Sequence, residues 1–235
     1  MKKLLLGLLA ALVIVVGAAV VRAATMSSSQ VPVGATPALL EVDADAVAER
    51  LAGSLRFRTV SFPPPEPVDS AAFLGLHDYL EESYPGVHTT LRRERINGLS
   101  LLFTWVGTDP AAPPAVLMGH LDVVPVIPGT DGDWTHGPYD GVVADGRIWG
   151  RGAMDDKSSV IGILEAVESL VAEGYRPRRT IYLAFGHDEE VGGPLGAGAI
   201  ADTVARRSPE LAMVLDEGGA VIRDVVPGRP GPVAL

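Results

Sequence analysis

From Ala115 onward, short apolar runs alternate with helical patterns, and each run leads into histidine or carboxylate side chains. Ala115 to Met118 reads as a strand that passes through Gly119 into His120-Leu121-Asp122. The segment Arg147 to Ala153 leads into Asp155-Asp156-Lys157. Thr180 to Phe185 reads as a buried strand and leads into Gly186-His187-Asp188-Glu189-Glu190. Leu211 to Leu215, another buried-type strand, leads into Asp216-Glu217. Between them, Ser158 to Glu173 sets Val160, Leu164, Val167 and Val171 on one helical face, with Gly174 as its C-cap. Pro194 to Arg207 reads as a Gly- and Ala-rich helix. This alternation predicts an α/β fold with a largely parallel central sheet flanked by helices. In such sheets, ligands bind beyond the carboxyl ends of the strands.

Upstream, Asp43 to Leu55 and Ser70 to Tyr84 carry helical spacing, the second with Phe73, Leu76, His77 and Leu80 on its apolar face. Ser61 to Pro67, with four prolines, is a loop. Val87 to Arg95 and Leu99 to Val106 read as strands, joined through the hairpin signal Asn97-Gly98. The N-terminus differs in kind. Lys2 and Lys3 precede Leu4 to Val21, eighteen residues without a charge, and Arg22 comes next. Such a segment is a membrane anchor or a signal peptide, and the preceding lysines predict export of the rest of the chain. The expected organisation is therefore residues 1–24 as anchor or signal, 25–42 as linker and 43–235 as catalytic domain, membrane-anchored or secreted and extracytoplasmic.

The formal charge is −10, and it becomes −13 once residues 1–24 take away Lys2, Lys3 and Arg22. That balance argues against nucleic acid as a partner, because phosphate binding rests on Lys and Arg. With no cysteine, disulfides, thiolate zinc sites and cysteine nucleophiles are excluded. There is no G-x-S-x-G elbow, no P-loop and no H-E-x-x-H. Gly150-Arg-Gly152-Ala-Met-Asp155 comes near a dinucleotide fingerprint, but Asp155 replaces its third glycine and would repel a pyrophosphate.

What remains is a set of hard O and N donors suited to a divalent cation. One of His120 and Asp122 can bind a metal while the other hydrogen-bonds and orients it. Glu189 and Glu190 are adjacent, so their side chains diverge, and one can coordinate while the other stays free as a base. A polar residue after a strand is more often a solvated loop, and it is the four together that carry weight.

The stretches Met118-Gly-His120-Leu-Asp122-Val-Val-Pro125, Trp134 to Gly141, Gly150-Arg-Gly-Ala-Met-Asp155-Asp-Lys157, Gly186-His-Asp-Glu189-Glu190-Val-Gly-Gly193 and Leu215-Asp216-Glu-Gly-Gly219 resemble the di-zinc exopeptidase and deacylase family of aminoacylase-1, acetylornithine deacetylase and carboxypeptidase S. The wording is most like carboxypeptidase S and the N-fatty-acyl-amino-acid synthase/hydrolases. The resemblance implies a zinc-exopeptidase-like sandwich and a zinc-dependent hydrolase of peptide or N-acyl amino acid amide bonds. His120 and Asp216 would bind one zinc, Glu190 the other, and Asp155 would bridge them. Asp122 would orient His120, and Glu189 would be the general base. Zn2+ is implied, two per complete site; Co2+ or Mn2+ also suits these donors. His136, His187 and Lys157 receive no catalytic role, and His77 and His88 read as structural or surface residues.

The family also places a histidine ligand, and a lid or dimerisation domain, downstream of everything here. The last histidine in this chain is His187. The expectation is a fragment: the N-terminal part of a catalytic domain, incomplete at the C-terminus, dimeric only if the lid were present. The alternative is a truncated, non-catalytic zinc-binding remnant.

Overall fold

The structure is a computed structural model that describes residues 2–26, 41–63, 66–219, 221–225, 228 and 231–234. The chain divides into two compact units, Met1–Leu39 and Leu40–Leu235. Within the first, α1 (Lys2–Thr25) is a 24-residue helix, long and apolar enough to cross a membrane, although a signal sequence meets the same description. Most of the predicted linker, 27–40, and part of the proline loop, 64–65, lie outside the described residues.

The second unit begins with α2 (Ala44–Leu55) and α3 (Ser70–Ser83). Both start on an aspartate whose carboxylate accepts from free N–H groups of the first turn: Asp43 from Ala46, and Asp69 from Ala71 and Ala72. As predicted, Phe73, Leu76, His77 and Leu80 form the buried face of α3. The next segment corrects the sequence reading. Residues 85–90 are a short helix, α4 (Pro85–Thr90), not the start of a strand. Val87, Thr89 and Thr90 favour extended backbone. Here Glu168 overrides that preference by accepting from the backbone N–H groups of Gly86 (2.9 Å) and Val87 (2.7 Å) at the helix start.

β1 (Arg92–Ile96) and β2 (Ser100–Trp105) then form the expected hairpin, with Asn97 and Gly98 both at positive φ. β3 (Ala115–His120) comes next, then a small separate hairpin of β4 (Val142–Ala144) and β5 (Arg147–Trp149). α5 (Lys157–Ala172), β6 (Ile181–Gly186), α6 (Ala197–Arg207) and β7 (Met213–Leu215) complete the main layer, and β8 (Val221–Arg223) pairs with β9 (Pro232–Ala234).

The main sheet has the order β1-β2-β6-β3-β7. It is mixed, not largely parallel: β1/β2 and β2/β6 are antiparallel, while β6/β3 and β3/β7 are parallel. Parallel neighbours need a crossover of a dozen or more residues. α5 and α6 supply two such crossovers, whereas the short connection from β2 to β3 does not. Its central strands β2, β6 and β3 are largely buried on both faces through their period of two. Leu101, Phe103, Leu183 and Phe185 face the cluster that includes Phe73, Leu80 and Leu164. Leu102, Val116, Tyr182 and Ala184 face Ile200 and Val204 of α6.

β7 also departs from expectation. Its apolar sequence reads as buried, yet Met213, Val214 and Leu215 are each at least half exposed. It is an edge strand, paired only to β3 among the described residues. The connection through α5 steps from β3 to β6, and the one through α6 steps back across β3 to β7. The strand order therefore reverses beside the carboxyl end of β3, the place where such sheets bind ligands.

Candidate metal centre

His120 is the last residue of β3, buried to 2% exposure by its parallel partner β6. Its Nδ1 lies 3.0 Å from the Asp122 carbonyl oxygen and 3.3 Å from Asp122 Oδ1. In the neutral ring, Nδ1–H donates there and the Nε2 lone pair faces outward. Nε2 lies 3.0 Å from Asp155 Oδ1, 3.3 Å from Glu217 Oε1 and 3.8 Å from Glu189 Oε2.

Asp122 is fully buried. Its two oxygens accept from the backbone N–H groups of Glu189 and Glu190, both at 3.1 Å. One carboxylate thus fixes the histidine at the end of β3 and the turn after β6 (Glu189–Val191), which Gly192 ends at φ 99°. Glu190 Oε1 also accepts from the Val124 N–H at 3.2 Å. Asp155 and Asp156, joined by a cis peptide, enter just before α5. They do not come from a strand of the main sheet, as β5 lies in the separate hairpin. Asp155 points outward, while Asp156 is buried and its Oδ2 accepts from the His120 N–H at 3.1 Å. Gly119 makes that approach possible, since a Cβ there would sit 2.9 Å from Asp156 Oδ2.

Two donor sets result: His120, Asp155 and Glu190, and His120, Asp156 and Glu217, each with ligand atoms within 4.8 Å of one another. Their electrostatics suit a cation. Burial opposes a charged His120 ring, but Asp122, Glu217 and Asp156 outweigh it and push its pKa up to about 10. Burial and then neighbouring carboxylates push Glu217 up to about 7 and raise Glu190. Burial also raises Asp156. Carboxylates crowded against one another around an imidazole are stabilised together by a divalent ion. The donor set, all His and carboxylate, fits Zn2+ and harder first-row cations.

The structure brings together five of the six residues singled out from sequence: His120, Asp122, Asp155, Glu189 and Glu190. Asp216 is exposed and, among the described residues, belongs to neither donor set and accepts only from the Glu217 N–H, at 2.9 Å. Its neighbour Glu217 reaches His120 instead. Sequence reasoning missed Asp156 and Glu217. The signal was the pairs Asp155-Asp156 and Asp216-Glu217, in which adjacent acids diverge and sequence does not say which turns inward. Lys157 is buried, its Nζ donating to the Ser54 and Phe57 carbonyl oxygens, and burial lowers its pKa to about 7. His187 is buried too, with Nδ1 2.6 Å from Ser100 Oγ.

Residues 116–228 match the family model of the peptidase family M20/M25/M40. The chain is 42% identical over 194 residues to probable carboxypeptidase S-like 2 of Dictyostelium discoideum, covering 80% of this chain and 37% of that protein. It is 39% identical over 199 residues to the N-fatty-acyl-amino acid synthase/hydrolase PM20D1 of Xenopus tropicalis, covering 84% and 38%. It thus spans little more than a third of the length of these relatives. Among solved structures, the M20 family metallo-carboxypeptidase Sso-CP2 from Sulfolobus solfataricus superposes with a TM-score of 0.56 at 20% identity, over 74% of this chain and 37% of that one. That likeness shows a shared fold. In sequence and fold together, the chain is a homologue of the M20 peptidases, with carboxypeptidase S-like proteins and N-fatty-acyl-amino acid synthase/hydrolases among its relatives.

Proposed function

We propose that this chain carries the zinc site of an amidohydrolase that cleaves peptide or N-acyl amino acid amide bonds. The observation that supports this best is the convergence of His120, Asp155 and Glu190 beside Glu189, with His120, Glu189 and Glu190 held by buried Asp122. Zinc at such a site polarises the scissile carbonyl and lowers the pKa of water. His120, Asp155 and Glu190 hold the ion, and Asp122 keeps His120 in the tautomer that leaves Nε2 free. Glu189, half exposed beside the donors, takes the proton of the attacking water and returns it to the leaving amine. Asp216 and Glu217 both follow β7 and compete for the remaining ligand position. The α1 helix serves as anchor or signal, which puts the metal site outside the cytoplasm.

Zinc titration of the metal-free chain tests this. Both donor sets share His120, so fewer than two zincs per chain are expected. His120→Ala should abolish the tight site, and Asp216→Asn beside Glu217→Gln separates the two acids. Glu189→Gln should remove hydrolysis of N-acyl amino acids while sparing zinc. Unchanged zinc binding in His120→Ala would sink the assignment, and unchanged turnover in Glu189→Gln would remove it as base.

A further inference from the structure

Residues 187–196 connect β6 to α6 and carry both Glu189 and Glu190. Three of the ten are glycines, and Gly192 and Gly193 stand at φ 99° and 72°. A connection of that composition samples many conformations unless bonds fix it. Asp122 holds its first half through the Glu189 and Glu190 N–H groups. Asp188 holds the second half. Its side chain is 5% exposed, and its two oxygens accept separately from the Leu195 N–H at 2.8 Å and the Gly196 N–H at 2.7 Å. Its carbonyl accepts from the Gly193 N–H at 2.7 Å and the Val191 N–H at 3.3 Å. One residue thus takes four N–H groups from the stretch that follows it. Gly196 allows the closure, since a Cβ there would overlap Asp188 Oδ1. The carboxylate also lies at the amino end of α6, where a negative charge is favoured. From the β1–β2 turn, Asn97 Nδ2 donates to the Leu195 carbonyl at 2.8 Å. In the run His187-Asp188-Glu189-Glu190, Asp188 therefore faces α6. Among the described residues it belongs to neither donor set.

Resting on the reading of Glu189 as base and Glu190 as ligand, we infer that Asp188 is the positioning residue of this pair. Its carboxylate, closed on the Leu195 and Gly196 N–H groups, fixes the loop conformation in which Glu189 and Glu190 stand beside His120 before an ion binds. Asp122 grips the loop from β3 and Asp188 grips it from α6, so the turn Glu189–Val191 is held from both sides. Asp188 touches neither substrate nor ion and acts only through the two residues after it. A ligand held in advance binds its ion more tightly, because its ordering cost is met on folding and not on binding.

Amide hydrogen exchange of the metal-free full chain in detergent micelles tests this, read residue by residue by NMR. It needs no ion, so its failure is separate from a failure of the zinc titration. Asp188→Asn keeps the size but offers one oxygen, and its NH2 group must face the other N–H. Exchange at Leu195 and Gly196 should quicken roughly tenfold or more, the scale of an orphaned N–H. Glu189 and Glu190 should quicken with them, while Tyr182 to Phe185 of β6 keep wild-type protection. Zinc affinity should fall about tenfold, as when a group behind a ligand is removed. Val204→Ala weakens the packing of α6 on the sheet without touching the loop. It should leave zinc affinity, and exchange at Glu189 and Glu190, as in wild type. Wild-type exchange at Glu189 and Glu190 in Asp188→Asn would overturn the assignment. So would exchange that quickens equally in β6, or the same loss of zinc affinity in Val204→Ala, since either marks a general role in stability. Should circular dichroism show Asp188→Asn unfolded, Asp188→Glu decides, because it keeps the charge one methylene too far out. Faster exchange at Glu189 and Glu190 there supports the assignment, and wild-type exchange overturns it.

Discussion

Replacing Asp122 with Asn keeps shape and volume and removes only the charge and one acceptor. Asp122 has no exposed surface, accepts from the Glu189 and Glu190 N–H groups through separate oxygens and faces His120 Nδ1 at 3.3 Å. An asparagine supplies one oxygen, so its NH2 group must face a donor on one side. A hydrogen bond to a charged group contributes about 1.5–3 kcal/mol, and an orphaned buried N–H costs about 1–3 kcal/mol. Burying a neutral amide instead of a carboxylate offsets part of this. The expected loss for the metal-free chain is about 3 kcal/mol by urea unfolding. Zinc affinity should fall about ten- to a hundredfold, as when a group that orients a ligand is removed.

The pH dependence sharpens the test. Burial pushes the Asp122 carboxyl up, but bonds from His120, Ser61 and the Glu189 N–H hold it below its usual value. A depressed carboxyl contributes stability that is present above the unfolded pKa near 4 and lost as pH falls through the folded value. The gap between wild type and Asp122→Asn should therefore close in acid. A variant within about 0.5 kcal/mol of wild type at pH 7, the scatter of ordinary surface changes, would refute the reasoning. So would a gap that does not change with pH.

Burial lowers the His77 pKa to about 4, and its Nε2–H donates to the Leu99 carbonyl while Nδ1 has no partner among the described residues. The ring is neutral when folded, so its contribution is present above pH 6.5 and should fall by roughly 2–3 kcal/mol by pH 4.5. Urea midpoints of His77→Leu should lack that part of the acid sensitivity. Glu165, which takes Arg50 through both oxygens and the Tyr84 hydroxyl at 2.8 Å, should cost about 1–3 kcal/mol as Glu165→Gln in the same assay. Two glycines of the β4–β5 region separate backbone strain from steric clash. Gly146→Ala, at φ 68° in open space, should cost about 1 kcal/mol, whereas Gly141→Ala also drives a Cβ into the Ala52 carbonyl and should cost well over that in thermal unfolding.

The acids and the histidine were legible in the sequence because each follows a strand or opens a helix, and the order of elements sends those ends to one edge. Phe73, Leu76, His77 and Leu80 were equally legible, since helical spacing alone puts them on one face. Residues 85–90 were not legible as helix, because Glu168 reaches Gly86 and Val87 from 82 and 81 positions away. The mixed sheet was hidden for a related reason. Periodicity reveals a strand but not its direction, which here depends on whether a helix or a short loop connects it to its neighbour.

The sequence by itself therefore determined which residue types converge, and that the chemistry available is that of oxygen and imidazole without sulfur. Only the tertiary structure decided that Glu217 and not Asp216 turns toward His120, and that Asp122 lies at zero exposure between two strand ends. Local pattern specifies a side chain's chemistry and its approximate position. Whether it meets a partner depends on contacts between segments far apart in the chain, and these exist only once the sheet has formed.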